Sequence, residues 1–555
     1  MPLRRRPTPG LIGRPRPRAV RYRRVVDGSA GLDAGSARAA EVAGALCLAT
    51  DLGVGLPLEH GLQSTLFAVR LARGAGAGEH VVREAYYLSL VFHAGCMTDA
   101  HVPAQIFGGN LSAHHTPVVF GSPLEGFGGV LRALPDAAAA PPARALQVAA
   151  RLPRAMRAFK PQMNAMCEVA AVLARRIGMP EAFVGTLAYL TDRWDGKGPL
   201  GRAAREEIPL PLRIAQVARD AAIQRMLGGP DRAARIARER AGAAFDPELA
   251  RLLADGAGEL LMLDDGSAWD EVLASEPDPP MLLDGPAIDR ALAAMGDFAD
   301  LASPCFSGHS SGVAALAAEA ARHCGLDAAT VASVRRAGLL HDLGRVSVHP
   351  RIWARPGPLT PDETEQVRLH AYHSERVLLR APVLAPLAPL AGAHHERLDG
   401  SGYHRGVGAA AQTAPARLLA AADAYQAMTE PRPYRSRLGA ERIGEEIAAE
   451  CRAGRLDSVA AAAVLAAVGR PAPHVEHPAG LTEREVEVVR LLARGLQTKQ
   501  VARTLGVSTK TADHHVQNAY AKIGVSTRAG ATLFAMEHGL LAWGELPMAP
   551  APARA

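Results

Sequence analysis

Histidines and carboxylates recur along one Ala- and Leu-rich stretch of this 555-residue chain, and they restrict its fold more than any other feature. His341 and Asp342 are adjacent in LLHDLGR, His394 and His395 open HHERLDGSGY, and Asp423 lies in LAAADAYQAMT. The flanking apolar residues have helical spacing, so several helices should project these side chains into one bundle core. Imidazole and carboxylate together suit iron, manganese or zinc. The sequence therefore predicts a metal centre built on helices, without a sheet.

The text around these ligands resembles a known family. HDLGR at 341–345, HHERLDGSGY at 394–403, ADAYQAMT and RPYR at 432–435 are similar to an HD-GYP domain, the HD-superfamily branch associated with hydrolysis of cyclic di-GMP. The resemblance covers residues 286–468 and implies two divalent transition-metal ions, iron or manganese, that activate water for attack on phosphorus. The implied ligands are His309, His341, Asp342, His370, His394, His395 and Asp423.

Further roles follow from the same resemblance. Asp342 would bridge both metals, and Arg345, in place of the lysine usual in the family, would serve in catalysis. The implied substrate is a cyclic dinucleotide, and the loop residues expected to contact it are Asp399, Gly400, Gly402 and Tyr403.

Other positions depart from the family pattern. His404 replaces the proline of GYP, and Cys305 replaces the carboxylate that members with a third metal carry, so two metals are expected. Because of Arg345 and His404, a second hypothesis remains open. Under it the chain is a transcription factor whose HD-GYP-like domain senses a nucleotide with little or no turnover. Hydrolysis of an unrelated phosphomonoester is a third alternative.

The chain also aligns with itself, which predicts a tandem of two related helical domains. RWDGKGPLG from Arg193 aligns without gaps on RLDGSGYHR from Arg397, and His60 and His93 match His309 and His341. The first copy should have lost its metal site, because the ligands are replaced by Ala94, Leu190, Thr191 and Arg219. His60 and His93 are expected to be relics in a polar core; the alternative joins them with Asp99 and His101 in another site.

The C-terminal text GLTEREVEVVRLLARGLQTKQVARTLGVSTKTADHHVQNAYAKIGVSTRAG resembles a LuxR-type helix-turn-helix. A first helix is predicted from Glu483 to Arg494, a scaffold helix over Thr498 to Leu505, and a recognition helix from Ser508 to about Ile523. Such a helix enters the DNA major groove with one polar face. The predicted DNA-binding residues are Lys499, Lys510, Thr511, His514, Gln517 and Lys522.

The fold expected is therefore all-α, with two HD-type helical bundles, the first degenerate, followed by a four-helix LuxR-type helix-turn-helix. The net charge of +6 and a pI near 9.1 agree with a nucleic-acid partner. A homodimer in the cytoplasm is expected, with no membrane partner, since no apolar run is long enough to span a bilayer. The predicted segments are a basic disordered tail 1–35, degenerate domain 36–260, linker 261–285, metal domain 286–468, linker 469–479, helix-turn-helix 480–543 and disordered tail 544–555.

Overall fold

The structure is a computed structural model, and it describes residues 36–97, 120–121, 123–136, 139–263, 266–470, 478–538 and 540. The predicted tails, and the candidate residues Asp99 and His101, lie outside this part of the chain. Helices dominate the described residues, so the expected all-α class is confirmed. One small addition is a two-stranded antiparallel sheet of β1 (Ser36–Arg38) and β2 (Leu282–Asp284).

The first repeat begins directly after β1. Its helices are α1 (Ala39–Val54), α2 (His60–Gly74), α3 (Glu79–Val91), α4 (Pro123–Ala133), α5 (Pro141–Ile177), α6 (Glu181–Thr186), α7 (Leu210–Arg240), α8 (Pro247–Asp255), α9 (Ala257–Leu260) and α10 (Ala268–Ala274). Short 3-10 turns lie at Ala94–Met97, Leu187–Tyr189 and Arg205–Glu207. The backbone of α7 is interrupted at Gly228 and Gly229, where its dihedral angles are not helical.

The second repeat begins directly after β2. Its helices are α11 (Gly285–Asp300), α12 (His309–His323), α13 (Ala328–Leu340), α14 (Pro350–Trp353), α15 (Pro361–Leu378), α16 (Ala388–Ala391), α17 (Ala414–Thr429), α18 (Ala440–Arg452) and α19 (Ser458–Ala467). Its 3-10 turns lie at Pro304–Phe306, Leu343–Ser347, Ala385–Leu387 and Ala409–Ala411.

The two repeats share local structure as well as helix order. A carboxylate at the end of the first helix accepts a hydrogen bond from a backbone N–H ten residues later: Gly61 donates to Asp51 at 3.1 Å, and Ser310 donates to Asp300 at 3.1 Å. The packing is also repeated, because α2 contacts α3 and α7 as α12 contacts α13 and α17. Each histidine-bearing helix therefore occupies the same place in its own bundle.

The repeats pack together through their first helices. Strand β1, which precedes α1, pairs with β2, which precedes α11, so that Ala37 lies opposite Leu283. Helix α1 contacts the turn Leu343–Ser347 of the second repeat, and α11 contacts α5 of the first. In addition, the Glu41 carboxylate accepts a hydrogen bond from the Val383 backbone N–H at 3.3 Å. The first repeat thus supports the segment that follows Asp342.

The segment 261–285, predicted to be a linker, contains α10 and β2. Trp269 on α10 is 3% exposed and lies against α1, where a Cβ added at Gly44 would come within 2.9 Å of its ring. The close approach of α1 and α10 therefore depends on glycine at position 44.

The C-terminal domain has four helices, as predicted: α20 (Glu483–Ala493), α21 (Thr498–Leu505), α22 (Thr509–Ile523) and α23 (Arg528–Glu537). A 3-10 turn, Pro478–Gly480, precedes them. Thr482 and Glu485 form a capping box at the start of α20, and the Ser508 hydroxyl accepts from the Thr511 N–H at the start of α22. None of the helices in the described ranges is both long and apolar enough to cross a membrane.

Replacing Trp269 tests whether segment 261–285 is part of the fold. Trp269→Ala is expected to lower the free energy of unfolding by about 3–5 kcal/mol, because it leaves a cavity beside α1. Denaturant unfolding followed by circular dichroism measures the change. Leu282→Ala is the control in the same segment, since Leu282 is 61% exposed and its loss should cost no more than about 0.5 kcal/mol. If both variants lost equally little free energy of unfolding, the packing of Trp269 against α1 would be contradicted.

Candidate metal centre

Each predicted ligand lies at the end of a helix or on its inner face. His309 is the first residue of α12, and His341 and Asp342 directly follow α13. His370 lies on α15 and Asp423 on α17, while the pair at 394–395 follows α16. Helix packing therefore brings together residues that are up to 114 positions apart in sequence, because the α12, α13 and α17 helices all contact one another.

The seven residues form two groups in which one ligand atom from each member lies within 4.8 Å of the others. One group contains three histidines and the other contains two histidines and two carboxylates: His370, His394 and His395; His309, His341, Asp342 and Asp423. Asp342 contacts both groups. Its Oδ1 lies 3.2 Å from His370 Nε2, and its Oδ2 lies 2.8 Å from His341 Nε2. This is the arrangement required of a carboxylate that bridges two metals.

The histidines are oriented by hydrogen bonds from the nitrogen that faces away from the centre. The Nδ1 of His341 donates to the Gly338 carbonyl at 2.7 Å, and the Nδ1 of His394 donates to the Ala391 carbonyl at 2.7 Å. His370 donates in the same way to the Val367 carbonyl. With Nδ1 protonated, each Nε2 presents a lone pair to the centre.

The ligand atoms lack the partners that buried polar groups normally have. Both carboxylate oxygens of Asp342, Oδ1 of Asp423 and Nε2 of His341 are buried without a hydrogen bond in the described part of the chain, although Arg345 forms an ion pair with Asp342. The Nε2 atoms of His370 and His394 face each other at 3.1 Å. Lone pairs and charges gathered in this way are unfavourable unless cations lie among them. The residues therefore fit a pair of divalent metal ions, with ligand chemistry that suits transition metals.

The two groups differ in charge. Burial and Arg345 act to lower the pKa of His309, but three neighbouring carboxylates outweigh them and raise it to about 10. Burial lowers the pKa of His394 to about 4 and places the pKa of His395 well below its usual range. For Asp342, burial alone would raise the pKa, but Arg345 and the histidines hold it well below its usual range. One group therefore combines ionised carboxylates with a charged His309, and the other contains the neutral His394 and His395.

Glu430 was not predicted, yet it orients a ligand. Its carboxylate accepts a hydrogen bond from His309 Nδ1 at 2.9 Å and another from Arg432 at 2.9 Å. The sequence contains a signal for this contact, because Glu430 lies seven positions after Asp423. That spacing places both residues on one side of α17 and its extension.

Two arginines border the centre. Arg345 contacts the Asp342 carboxylate at 2.6 Å, and its guanidinium lies 3.3 Å from His309 Nε2. Its guanidinium carbon lies 4.2 Å from the centre of the Phe306 ring, and that of Arg432 lies 4.7 Å from the same ring. Arg345 is 5% exposed, and its Nε and Nη1 have no hydrogen-bond acceptor in the described ranges. Donor atoms therefore remain at the edge of the metal centre.

The predicted substrate loop borders the same centre. The ring of Tyr403 packs on His395 at 4.6 Å between centroids. Gly402 has no room for a side chain, because an added Cβ would lie 2.4 Å from the Arg397 nitrogen, and Gly400 has φ of 82°. The Asp399 carboxylate, by contrast, accepts hydrogen bonds from Ser401. His404, at the missing proline, donates to Glu375 at 2.8 Å.

The predicted DNA-binding side chains are exposed on the helix-turn-helix. This is true of Lys499, Lys510, Thr511, His514, Gln517 and Lys522. Ala512, Val516 and Ala519 are buried on the opposite face of α22. Lys522 differs from the others, because its ammonium contacts the Glu485 carboxylate at 2.6 Å and the Gly480 carbonyl at 3.1 Å. Its charge is therefore compensated within the domain.

The helix-turn-helix contacts the metal-binding repeat beside the substrate loop. Arg494, which ends α20, donates to the backbone carbonyl of Asp399 at 3.3 Å. Arg490 donates to the Arg452 carbonyl at 2.7 Å. An added Cβ at Gly454, in the same turn, would meet the Arg490 guanidinium at 2.4 Å. The loop at the metal centre and the first helix of the C-terminal domain are thus in direct contact.

Comparison with known proteins confirms the predicted HD domain and the predicted LuxR-type domain. Residues 294–458 match the family described as "HD domain", and residues 479–535 match "Bacterial regulatory proteins, luxR family". The chain therefore carries an HD domain followed by a LuxR-type domain. A crystal structure of a cyclic GMP-AMP specific phosphodiesterase of Vibrio cholerae shares the fold, with a TM-score of 0.53 at 24% identity, over 78% of this chain and 98% of that one.

Three relatives illustrate both parts of the chain. A 3'3'-cGAMP-specific phosphodiesterase of Vibrio cholerae is 33% identical over 274 residues, which cover 49% of this chain and 60% of the relative. A cyclic di-GMP phosphodiesterase of Thermotoga maritima is 36% identical over 27% of this chain and 41% of its own. A transcriptional regulatory protein of Rhizobium johnstonii is 38% identical over 11% of this chain and 28% of its own. This chain thus spans less than two thirds of each relative.

Metal analysis tests the ligand assignment. Protein prepared anaerobically with manganese or iron is expected to hold two metal equivalents, and Asp423→Ala at least one fewer, because one group loses a carboxylate. Mass spectrometry of bound metal measures this. His323→Ala is the control, since His323 lies exposed on the same repeat. Metal at a hundred times its dissociation constant should also raise the free energy of unfolding by about 2.7 kcal/mol. Unchanged metal content in Asp423→Ala would contradict the assignment.

Proposed function

We propose that this chain is a metal-dependent phosphodiesterase that acts on a cyclic dinucleotide such as cyclic di-GMP. The observation that carries the proposal is the bridging position of Asp342 between two groups of buried ligands. Metal pairs held in this way serve hydrolysis of phosphate esters. The activities of the relatives, on 3'3'-cGAMP and cyclic di-GMP, support the substrate class.

The ligand residues would hold two divalent ions, iron or manganese, and such ions, when bound, supply an activated water and neutralise phosphoryl charge. The protein's own part is positioning and electrostatics. Glu430 and the carbonyls of Gly338 and Ala391 fix the tautomers and directions of the histidines. The ring of Tyr403 packs on that of His395 and restricts its orientation.

Arg345 is proposed to hold a phosphoryl oxygen of the substrate. Its contact with Asp342 and the ring of Phe306 keep the guanidinium at the edge of the centre, while Nε and Nη1 remain as donors. A planar guanidinium offers two parallel donors to a phosphate, whereas lysine offers a point charge. The substitution of lysine by arginine therefore keeps the charge and changes the geometry of the contact.

Hydrolysis of cyclic di-GMP and 3'3'-cGAMP by the metal-loaded protein tests the proposal. Linear product is expected from the unmodified chain and none from Asp342→Ala. Arg345→Ala should lower kcat by roughly 10²- to 10³-fold, the usual loss when one preorganised donor is removed. Arg322→Ala, at an exposed arginine of the same repeat, is the control and should keep full activity. Full metal loading without product would contradict the phosphodiesterase and favour the sensor described below.

DNA binding is proposed for the C-terminal domain, through the exposed face of α22. The match to the luxR family and the exposure of Lys510, His514 and Gln517 support it. Domains of this kind read paired half-sites as dimers, so we propose a homodimer. A protein that regulates transcription works beside the chromosome, and we therefore place this one in the cytoplasm.

A second candidate function is a transcription factor that senses the nucleotide and turns it over slowly or not at all. The contact between Arg494 and the Asp399 carbonyl favours it, because the substrate loop and the DNA-binding domain touch. Under either candidate, nucleotide and DNA should alter each other's affinity by the same factor.

Reciprocal titrations with Asp342→Ala protein measure this coupling without hydrolysis. Cyclic di-GMP is expected to change the affinity for a duplex selected from a random library by about 5- to 150-fold, the usual range of coupling, and the duplex to change nucleotide affinity equally. Arg494→Ala should reduce the factor toward one. Arg503→Ala, at an exposed arginine of the same domain, is the control. Affinities that are independent of each other would contradict the coupling.

A further inference from the structure

The first repeat holds a buried arginine where the second repeat holds a metal-binding aspartate. Arg219 on α7 aligns with Asp423 on α17, and Arg219 is 3% exposed. His60 and His93 occupy the places of His309 and His341, at 2% and 5% exposure. Both candidate metal groups found among the described residues lie in the second repeat. The first repeat has thus kept two histidines and has replaced both carboxylates, by Ala94 and Arg219.

The charge of Arg219 is not matched by a carboxylate in the described part of the chain. Its Nε donates to His93 Nε2, and its guanidinium lies 4.7 Å from the Phe92 ring centre and 5.6 Å from that of Phe120. The neighbouring Asp220 is bonded to Arg240 at 2.6 Å. Aromatic faces and a neutral histidine offset only part of the cost of burying a cation.

A second polar group lies beside this arginine without a partner. His60 Nε2 is buried and has no hydrogen bond among the described residues. Its ring stacks with that of His93 at 6.5 Å between centroids, and His93 in turn bonds Arg219. Burial, together with the charge of Arg219, lowers the pKa of His60 to about 4, so at neutral pH it carries one N–H and no charge. A neutral imidazole of this kind can donate to an anion.

We propose that the first repeat binds a small oxyanion, a phosphate group, against Arg219 and His60. In the second repeat the fold brings carboxylates together, and carboxylates attract cations. At the equivalent position the first repeat has a guanidinium and an imidazole, which attract an anion instead. A guanidinium matches the geometry of phosphate and forms charge-assisted hydrogen bonds with it. The phosphate belongs either to free inorganic phosphate or to a nucleotide. The first repeat does not hydrolyse the phosphate in either case, because the described residues around Arg219 include no group of metal ligands.

Calorimetric titration of the full-length chain tests the site. The protein carries Asp342→Ala and Arg345→Ala and is freed of metal by chelation, which removes both the metals and the guanidinium of the second repeat as a competing phosphate site. Inorganic phosphate, and separately cyclic di-GMP, are added at constant ionic strength. One equivalent of phosphate should bind, and Arg219→Met should weaken its affinity at least tenfold. Arg235→Met, an exposed arginine on the same helix, is the control and should leave the affinity unchanged.

Titration with inorganic phosphate and with cyclic di-GMP distinguishes the free anion from a nucleotide as the source of the bound phosphate. Binding of cyclic di-GMP that depends on Arg219 identifies a nucleotide site, and binding of phosphate alone identifies a site for the free anion. Binding that is absent, or that Arg219→Met leaves unchanged, overturns the proposal. If Arg219→Met does not fold, crystals of the unmodified chain soaked in bromide give the answer. An anomalous peak beside the Arg219 guanidinium supports the site, and its absence overturns it. Neither result depends on hydrolysis, so failure of the proposed activity would remain distinguishable.

Discussion

Two carboxylates buried at the centre of the second repeat are the constraint on which the rest of its structure depends. Asp342 and Asp423 are 0% and 2% exposed, and both stay ionised against the cost of desolvation. A charge in such a place requires cations, and the chain itself provides Arg345 together with histidines that fit metal ions. The helices must therefore meet with their ends and inner faces around one point. The Ala-rich sequence permits this, because small side chains let the helices approach closely.

The candidate ligands could be predicted from the sequence. The groups that accept hydrogen bonds from those ligands could be predicted less well. His309, His370 and Asp423 were found because their residue types are rare in an apolar helix and their order matched a family. The acceptors behind the histidines are mostly backbone carbonyls, such as those of Gly338 and Ala391, and a carbonyl leaves no mark in the sequence. Glu430 was identifiable only through its helical phase relative to Asp423.

Burial that depends on contacts between residues distant in sequence was not predictable. The stretch 261–285 is rich in prolines and acids, which is typical of a linker, yet Trp269 packs against α1 at Gly44. The sequence indicates neither the glycine nor the tryptophan as a contact, because they lie more than 200 positions apart. For the C-terminal domain, by contrast, caps and helix bounds follow from local signals such as Thr482 and Ser508, and these were predicted closely.

The contact of α1 with the turn Leu343–Ser347 has a consequence for how such a chain can evolve. A duplicated domain whose chemistry is lost would ordinarily be free to disappear. Here the degenerate copy covers the segment next to Asp342, so its removal would strip an apolar surface from the surviving metal centre. Selection can therefore change the residues within the first copy, as Ala94 and Arg219 show, while it retains the copy itself. The first copy thus contributes packing to the second, although its own ligand positions have been replaced.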